Sequence, residues 1–257
     1  YYGAGAAFLS ADARLLPLEV SESGWNFAEP ATIPRVIFVT PSCHHPLGIT
    51  MSMEQRLNLI AMAGRWKSWI IEDDYDSEYR YVGRPLPALM SLDRKARVIY
   101  SGSFSKVFSP LLRLGYIVVP KALAERFRAE RLAHGAPPSL MAQPALCEFM
   151  TSGAFAIHIR RMRRIYAARR KALIESLEGK PRFTIDASPS GLMLLLRLKS
   201  GENDEEVVAK LASARLEAQS LSSHYTGRQR EQGLLLSFAG FTDKDLRAAA
   251  KKLVEEL

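Results

Sequence analysis

The feature that most restricts this chain is a pair of β-branched runs with a capped helix between them. Residues 35–40 read RVIFVT and stop at Pro41, and residues 69–73 read WIIED and stop in acids. Both are short, continuous and apolar, the pattern of buried strands. Between them Ser52 precedes Gln55 by three positions, a capping-box start, and Leu57, Ile60 and Ala61 recur at helical spacing. A strand-helix-strand unit of this kind closes as a parallel pair with a right-handed crossover. The first half of the chain is therefore α/β.

Further elements follow from the same periodicities. Residues 98–101 (VIYS) and 114–119 (LGYIVV) add strands, and 122–132 an amphipathic helix. Gly135, Pro137 and Pro138 interrupt the pattern, after which one long helical stretch is expected over about 142–177. Residues 191–198 and 233–238 read as strands. Thr242 caps a terminal helix that carries Leu246, Leu253 and Leu257 on one face. The expected organisation is a large domain over residues 1–164 and a smaller C-terminal α/β lobe over 165–257.

Composition narrows the function classes. With 257 residues, 47% of them hydrophobic and 24% charged, the chain has the balance of a globular protein able to bury a large core. The net charge of +8 is densest at Arg160, Arg161, Arg163, Arg164, Arg169, Arg170 and Lys171, inside a helical segment. Such runs are usually solvated helix faces, and nucleic-acid contact is the minority reading. Cys43 and Cys147 are lone thiols without disulfide or zinc spacing, which fits a reducing cytoplasm. No apolar run reaches the roughly 20 residues that span a bilayer. The chain opens on Tyr1 rather than Met, so upstream sequence is expected to be missing.

The unusual residues fall just after the expected strands, where open α/β sheets place their ligands. These loops are PSCHHPLG, EDDYDSEYR and SGSFSKVFSPLLR. In the third, Ser103 and Ser105 supply hydroxyl donors and Arg113 a planar cation, a set able to hold a phosphate dianion beside an amine, Lys106, that can capture an aldehyde. Lys106 read alone is an exposed lysine like most others. Asp73 at a strand end is equally a helix cap, a surface pair, or a carboxylate that keeps a pyridine nitrogen protonated. Tyr75 either packs or sets its phenol against a ring hydroxyl.

Two other chemistries have partial motifs here. Ser103 to Lys106 matches S-x-x-K without its S-D-N and K-T-G partners. Asp74 and Asp76 form a D-x-D pair, and Cys43, His44 and His45 lie adjacent, yet neither group has further ligands at metal spacing, so no metal is expected.

Taken together, PSCHHPLG, EDDYDSEYRY, GRPLPALMSLD, VIYSGSFSKVFSPLLRLGYIVVP, HIRRMRRIYAARR and GLLLSFAGF resemble, in order and over nearly the whole chain, the aminotransferase-like domain of MocR-type regulators of the GntR group. The resemblance implies a fold-type I, pyridoxal 5'-phosphate (PLP) dependent transferase fold with a mainly parallel large-domain sheet. It implies that Lys106 forms the Schiff base, Asp73 pairs with the pyridine nitrogen, Tyr75 contacts the phenolic oxygen, and Ser103, Ser105 and Arg113 take the phosphate. Tyr1 matches the position whose ring stacks on the cofactor. His45 stands where aminotransferases carry the Asn of N-P-x-G, and Leu234, Leu235 and Leu236 stand where they present an arginine for the substrate carboxylate.

The function so implied is an effector-sensing domain that forms an aldimine with a small amine or amino acid. A homodimer is implied too, with DNA bound by an upstream winged helix-turn-helix that is absent here. The alternative is a working class I and II aminotransferase.

Overall fold

The computed structural model describes residues 2–134, 140–199, 201–227 and 230–257. The chain divides into two compact units. One comprises Tyr1–His45, Ile49–Tyr75 and Pro85–Ala145; the other comprises Pro46–Gly48, Asp76–Arg84 and Leu146–Leu257.

The first unit opens with α1 (Tyr2–Ser10) and a two-strand hairpin, β1 (Val20–Ser21) with β2 (Gly24–Trp25). Then come β3 (Val36–Val39), α2 (Met53–Trp66), β4 (Trp69–Asp74), α3 (Leu89–Leu92), β5 (Val98–Ser103), β6 (Gly115–Val118) and α4 (Ala124–His134). The sheet runs β3-β4-β5-β6; β3, β4 and β5 are parallel, and β6 returns antiparallel to β5. Helix α2 forms as the sequence indicates. Ser52 and Gln55 complete a reciprocal capping box, and Lys67 closes the helix in the left-handed conformation.

The buried row of α2 differs from the expected one. Arg56, Leu59, Met62 and Ala63 face the core, whereas Leu57 is half exposed and Ala61 exposed. An arginine inside the row hides it from a search by hydrophobicity alone. This row packs with Val39, Ile70, Val98 and Leu89 into the core on one side of the sheet. Successive strand residues point to opposite faces, so the other side carries Ile71 and Asp73 of β4 and Ile99, Ser101 and Ser103 of β5. Its apolar part lines a cavity of about 340 Å³ together with Val36, Trp69 and Phe127. Helix α4 was expected to bury an apolar stripe, but none of its described side chains is buried.

Next come α5 (Ala142–Thr151) and α6 (Ala154–Leu177), not one helix. Gly153 at φ +79° turns the chain between them, a backbone state that glycine enters without a Cβ clash. Position 165, where the sequence reading begins the smaller lobe, lies within α6. The second unit continues with β7 (Phe183–Asp186), β8 (Met193–Leu198), α7 (Asp204–Ser213), β9 (Gln219–Ser220), β10 (Gly233–Ser237) and α8 (Asp243–Glu256). Its sheet runs β7-β8-β10-β9, antiparallel throughout. Leu173 and Leu177 of α6, Leu246 and Leu253 of α8, Leu194 and Leu196 of β8, and Leu234 and Leu236 of β10 form its core.

Candidate functional site

The parallel strands β4 and β5 end side by side, and their register sets the site. Asp73 lies opposite Ser101, and Ser103 lies two residues further along β5, on the same face of the sheet. Neighbouring strands stand about 4.8 Å apart, so the acid and the serines share one strip at the carboxyl end. On the other side of β5, Ser103 pairs with Gly115 of β6, two residues after Arg113.

Two glycines allow this close pairing. A Cβ on Gly102 would stand 2.4 Å from the Tyr116 ring, and one on Gly115 would stand 3.0 Å from the Gly102 carbonyl oxygen. Arg113 occupies the left-handed region at φ +50° and caps the short 3-10 turn Pro110–Leu112, which brings the chain back from the lysine turn into β6.

The lysine turn itself is hydrogen bonded. Phe108 and Ser109 amides donate to the Phe104 carbonyl at 2.9 and 3.1 Å, and Phe104 N donates to Leu114 O at 3.1 Å. Val107 is buried and roots the turn, while its neighbour Lys106 is exposed. Ser103 Oγ accepts from Ser105 N at 3.1 Å, which leaves the Ser103 hydroxyl proton available to an anion.

Asp73 has the electrostatics of an acid waiting for a cation. It is half-buried, and its carboxylate makes no hydrogen bond or ion pair among the described residues. Burial, and after it the adjacent Asp74 carboxylate, push its carboxyl above the ordinary range. A protonated ring nitrogen placed against it would reverse that penalty. Asp74 points to the opposite face and accepts the Tyr100 hydroxyl at 2.7 Å. Burial, followed by that bond, raises the Tyr100 phenol.

The loop after β3 comes to the same end of the sheet. Tyr75 Oη donates to the Cys43 carbonyl at 2.9 Å, so the phenol joins β4's end to the PSCHHPLG loop. The His44 ring sits edge-on to Trp25, centroids 5.5 Å apart. His45 is the last residue of that stretch in the first unit, and Pro46–Gly48 belong to the second. The structure thus brings Asp73 and Ser103, at the ends of β4 and β5, and Tyr75, Ser105, Lys106, Arg113 and His45, on the adjoining loops, to the carboxyl end of one sheet. Tyr1 lies outside the described residues.

EDDYDSEYRY, which reads as one loop in sequence, is divided. Asp73 to Tyr75 serve the first unit and Asp76–Arg84 the second, where Tyr79 packs edge-on to Tyr166 at 5.0 Å and Tyr81 Oη donates to Gly191 O at 2.9 Å. The arginine-rich stretch of α6 is divided as well. Arg163, Arg169 and Arg170 donate to the carbonyls of Glu78, Ala239 and Ser188, whereas Arg160, Arg161, Arg164 and Lys171 form an exposed face. Leu234, Leu235 and Leu236 are all buried in β10. No group of three or more potential metal ligands occurs among the described residues, nor does a helix long and apolar enough to cross a membrane.

Comparison with known proteins bears out the fold. Residues 25–253 match the family described as aminotransferase class I and II. A probable rhizopine catabolism regulatory protein, MocR, of Rhizobium meliloti is 42% identical over 98% of this chain and 52% of its own length. The pyridoxine biosynthesis transcriptional regulator PdxR of Corynebacterium glutamicum is 33% identical over 82% of this chain and 46% of its own. The chain spans about half the length of these curated relatives. Among solved structures, the α-aminoadipate aminotransferase LysN of Thermus thermophilus, complexed with N-(5'-phosphopyridoxyl)-L-leucine, superposes with a TM-score of 0.89 at 26% identity, over all of this chain and 68% of that one.

Proposed function

This chain belongs to the aminotransferase class I and II family, and from its likeness to transcriptional regulators we propose that it is the ligand-sensing part of such a regulator rather than a transaminase. Pyridoxal 5'-phosphate is the cofactor that goes with the family, and the residues fit it. Ser103, Ser105 and Arg113 offer donors to its phosphate, Asp73 a carboxylate to its ring nitrogen, Tyr75 and His45 polar atoms to its ring oxygen, and Lys106 a primary amine. Bound there, the cofactor supplies an aldehyde that condenses with amines and a ring that draws electrons from the attached carbon.

The chain's own residues do the rest. Lys106 Nζ would serve as nucleophile and as proton carrier. The Asp73 carboxylate holds a proton on the heterocycle by opposing its charge, and the Ser103 and Ser105 hydroxyls with the Arg113 guanidinium balance a dianion. A small amine or amino acid would compete with Lys106 at this site, which would make it a receptor for primary amines.

One observation favours sensing over turnover: β10 carries buried leucines 234, 235 and 236, where the sequence resemblance places the arginine with which the family's enzymes grip the substrate carboxylate. Without that cation an amino acid is held less firmly for proton transfer at its α-carbon. In the regulator reading, ligand binding biases two states of a homodimer whose DNA contacts come from a winged helix-turn-helix elsewhere in the polypeptide. The test adds candidate amines and amino acids to the PLP-loaded full-length protein. A saturable spectral change, with altered operator affinity and no more than one keto-acid equivalent per site, is expected. Sustained keto-acid production with an added acceptor overturns the proposal in favour of an aminotransferase.

A further inference from the structure

Arg56 is among the most deeply buried residues of the first unit, at 1% exposure, and no step above uses it. Its Nε donates to Met51 O at 3.0 Å, Nη2 to Pro41 O at 2.8 Å and Nη1 to Pro87 O at 3.0 Å. Nη1 also stands 3.9 Å from the buried Glu72 carboxylate. Pro41 and Met51 are the two stems of the PSCHHPLG loop.

We infer that Arg56 is a positioning residue for the cofactor site, fixing the stems of this loop and through them the places of His45 and the Cys43 carbonyl. The inference rests on the PLP reading above and deepens it. From the guanidinium the loop is stitched upward. Met51 N donates to Pro41 O at 2.9 Å, Thr50 Oγ1 to Ser42 O at 3.1 Å and His44 N to Ile49 O at 2.8 Å. Tyr75 Oη then holds Cys43 O at 2.9 Å. Every rung between the buried cation and the tyrosine is a hydrogen bond.

Glu72 extends the same anchorage to the strand. It accepts from the Leu89 and Met90 amides at 2.8 and 3.0 Å and immediately precedes Asp73 in β4. The guanidinium therefore ties the loop of His45 to the strand of Asp73.

Stability alone does not call for such a group. Burying a cation is costly, and apolar side chains of similar size commonly serve a core as well or better. What the guanidinium supplies is three donors in one rigid plane, aimed at three carbonyls from separate chain segments. A lysine ammonium, a single point on a flexible stem, cannot span them. The expected consequence of its loss is a displaced loop, felt at the ring oxygen of the cofactor.

The test uses the PLP-loaded full-length protein with Arg56→Lys and Arg56→Met. Three quantities are read together: thermal midpoint, the pH at which the visible cofactor band changes, and the rate of cofactor release after dilution. In the folded Lys variant the spectral midpoint should move by about one pH unit or more, and release should quicken roughly tenfold or more. A purely structural role would lower the thermal midpoint and leave the other two unmoved, which would overturn the inference. It is also overturned if neither variant folds, since a residue indispensable to the whole unit does not act through one loop. A wild-type protein without any visible band overturns the PLP reading itself, and this inference with it.

Discussion

Lys106→Ala is expected to abolish the visible absorbance of the lysine-linked cofactor completely, while the protein stays folded and still binds PLP non-covalently. The first unit contains four lysines, Lys67, Lys95, Lys106 and Lys121. Lys67 precedes β4, Lys95 precedes β5, and Lys121 follows the antiparallel β6, so these three lie toward the amino end of the parallel strands. Only Lys106 stands at the carboxyl end with Asp73, Ser103 and Arg113. No neighbour in that unit can replace it.

The folded state should tolerate the change. Lys106 is exposed, and the backbone of the turn around it is held through the Phe104 carbonyl and buried Val107. Exposed substitutions of this kind usually alter stability by less than about 0.5 kcal/mol. The phosphate donors remain in place, so free PLP should still associate with the variant and show the spectrum of an unlinked aldehyde. Absorbance of the dialysed and reloaded variant checks both parts.

The second large effect concerns stability. Asp204 is fully buried at the first turn of α7 and accepts three hydrogen bonds: Ser222 N at 2.9 Å, Ser222 Oγ at 2.5 Å and Gly233 N at 2.9 Å. Its own amide donates to Gln232 Oε1 at 2.9 Å. One carboxylate thus joins a helix start, the turn after β9 and the first residue of β10.

Asp204→Ala leaves those donors buried without acceptors, at about 1–3 kcal/mol for each unsatisfied group before relaxation. With partial rescue by water, a net loss of about 3–5 kcal/mol is expected, the range for breaking a buried charged network. Asp204→Asn keeps one acceptor oxygen and should lose about half as much. All three tryptophans, Trp25, Trp66 and Trp69, lie in the first unit. The measurement should therefore be denaturant unfolding by circular dichroism or amide exchange within residues 204–237. A loss below about 1 kcal/mol would show that the network is dispensable.

How far the sequence discloses the molecule depends on the kind of interaction. β3, α2 and β4 are legible because their signals are local: β-branched runs, a capping box and a proline stop. The shared placement of Asp73, Lys106 and their neighbours is legible because a parallel sheet gathers the loops at its strand ends.

What escapes a one-dimensional reading is set by distant partners. Arg56 occupies an apolar row beside Leu59 and Met62, and a charge inside such a row is the signal that would have exposed it. The split of EDDYDSEYRY depends on Tyr166, 87 positions from Tyr79, and Gly191, 110 positions from Tyr81, which no local pattern shows. The break between α5 and α6 rests on the left-handed Gly153, and a helix-period search passes over a single glycine. Three arginines of α6 read as a solvated face until the carbonyls they serve are located.

The most direct measurement is reduction of the PLP-loaded protein with borohydride, followed by protease digestion and mass spectrometry. A single phosphopyridoxyl adduct on the peptide containing Lys106, at close to one per chain, is the predicted result. An adduct elsewhere, or none in protein that has taken up PLP, would contradict the assignment of Lys106 as its covalent anchor.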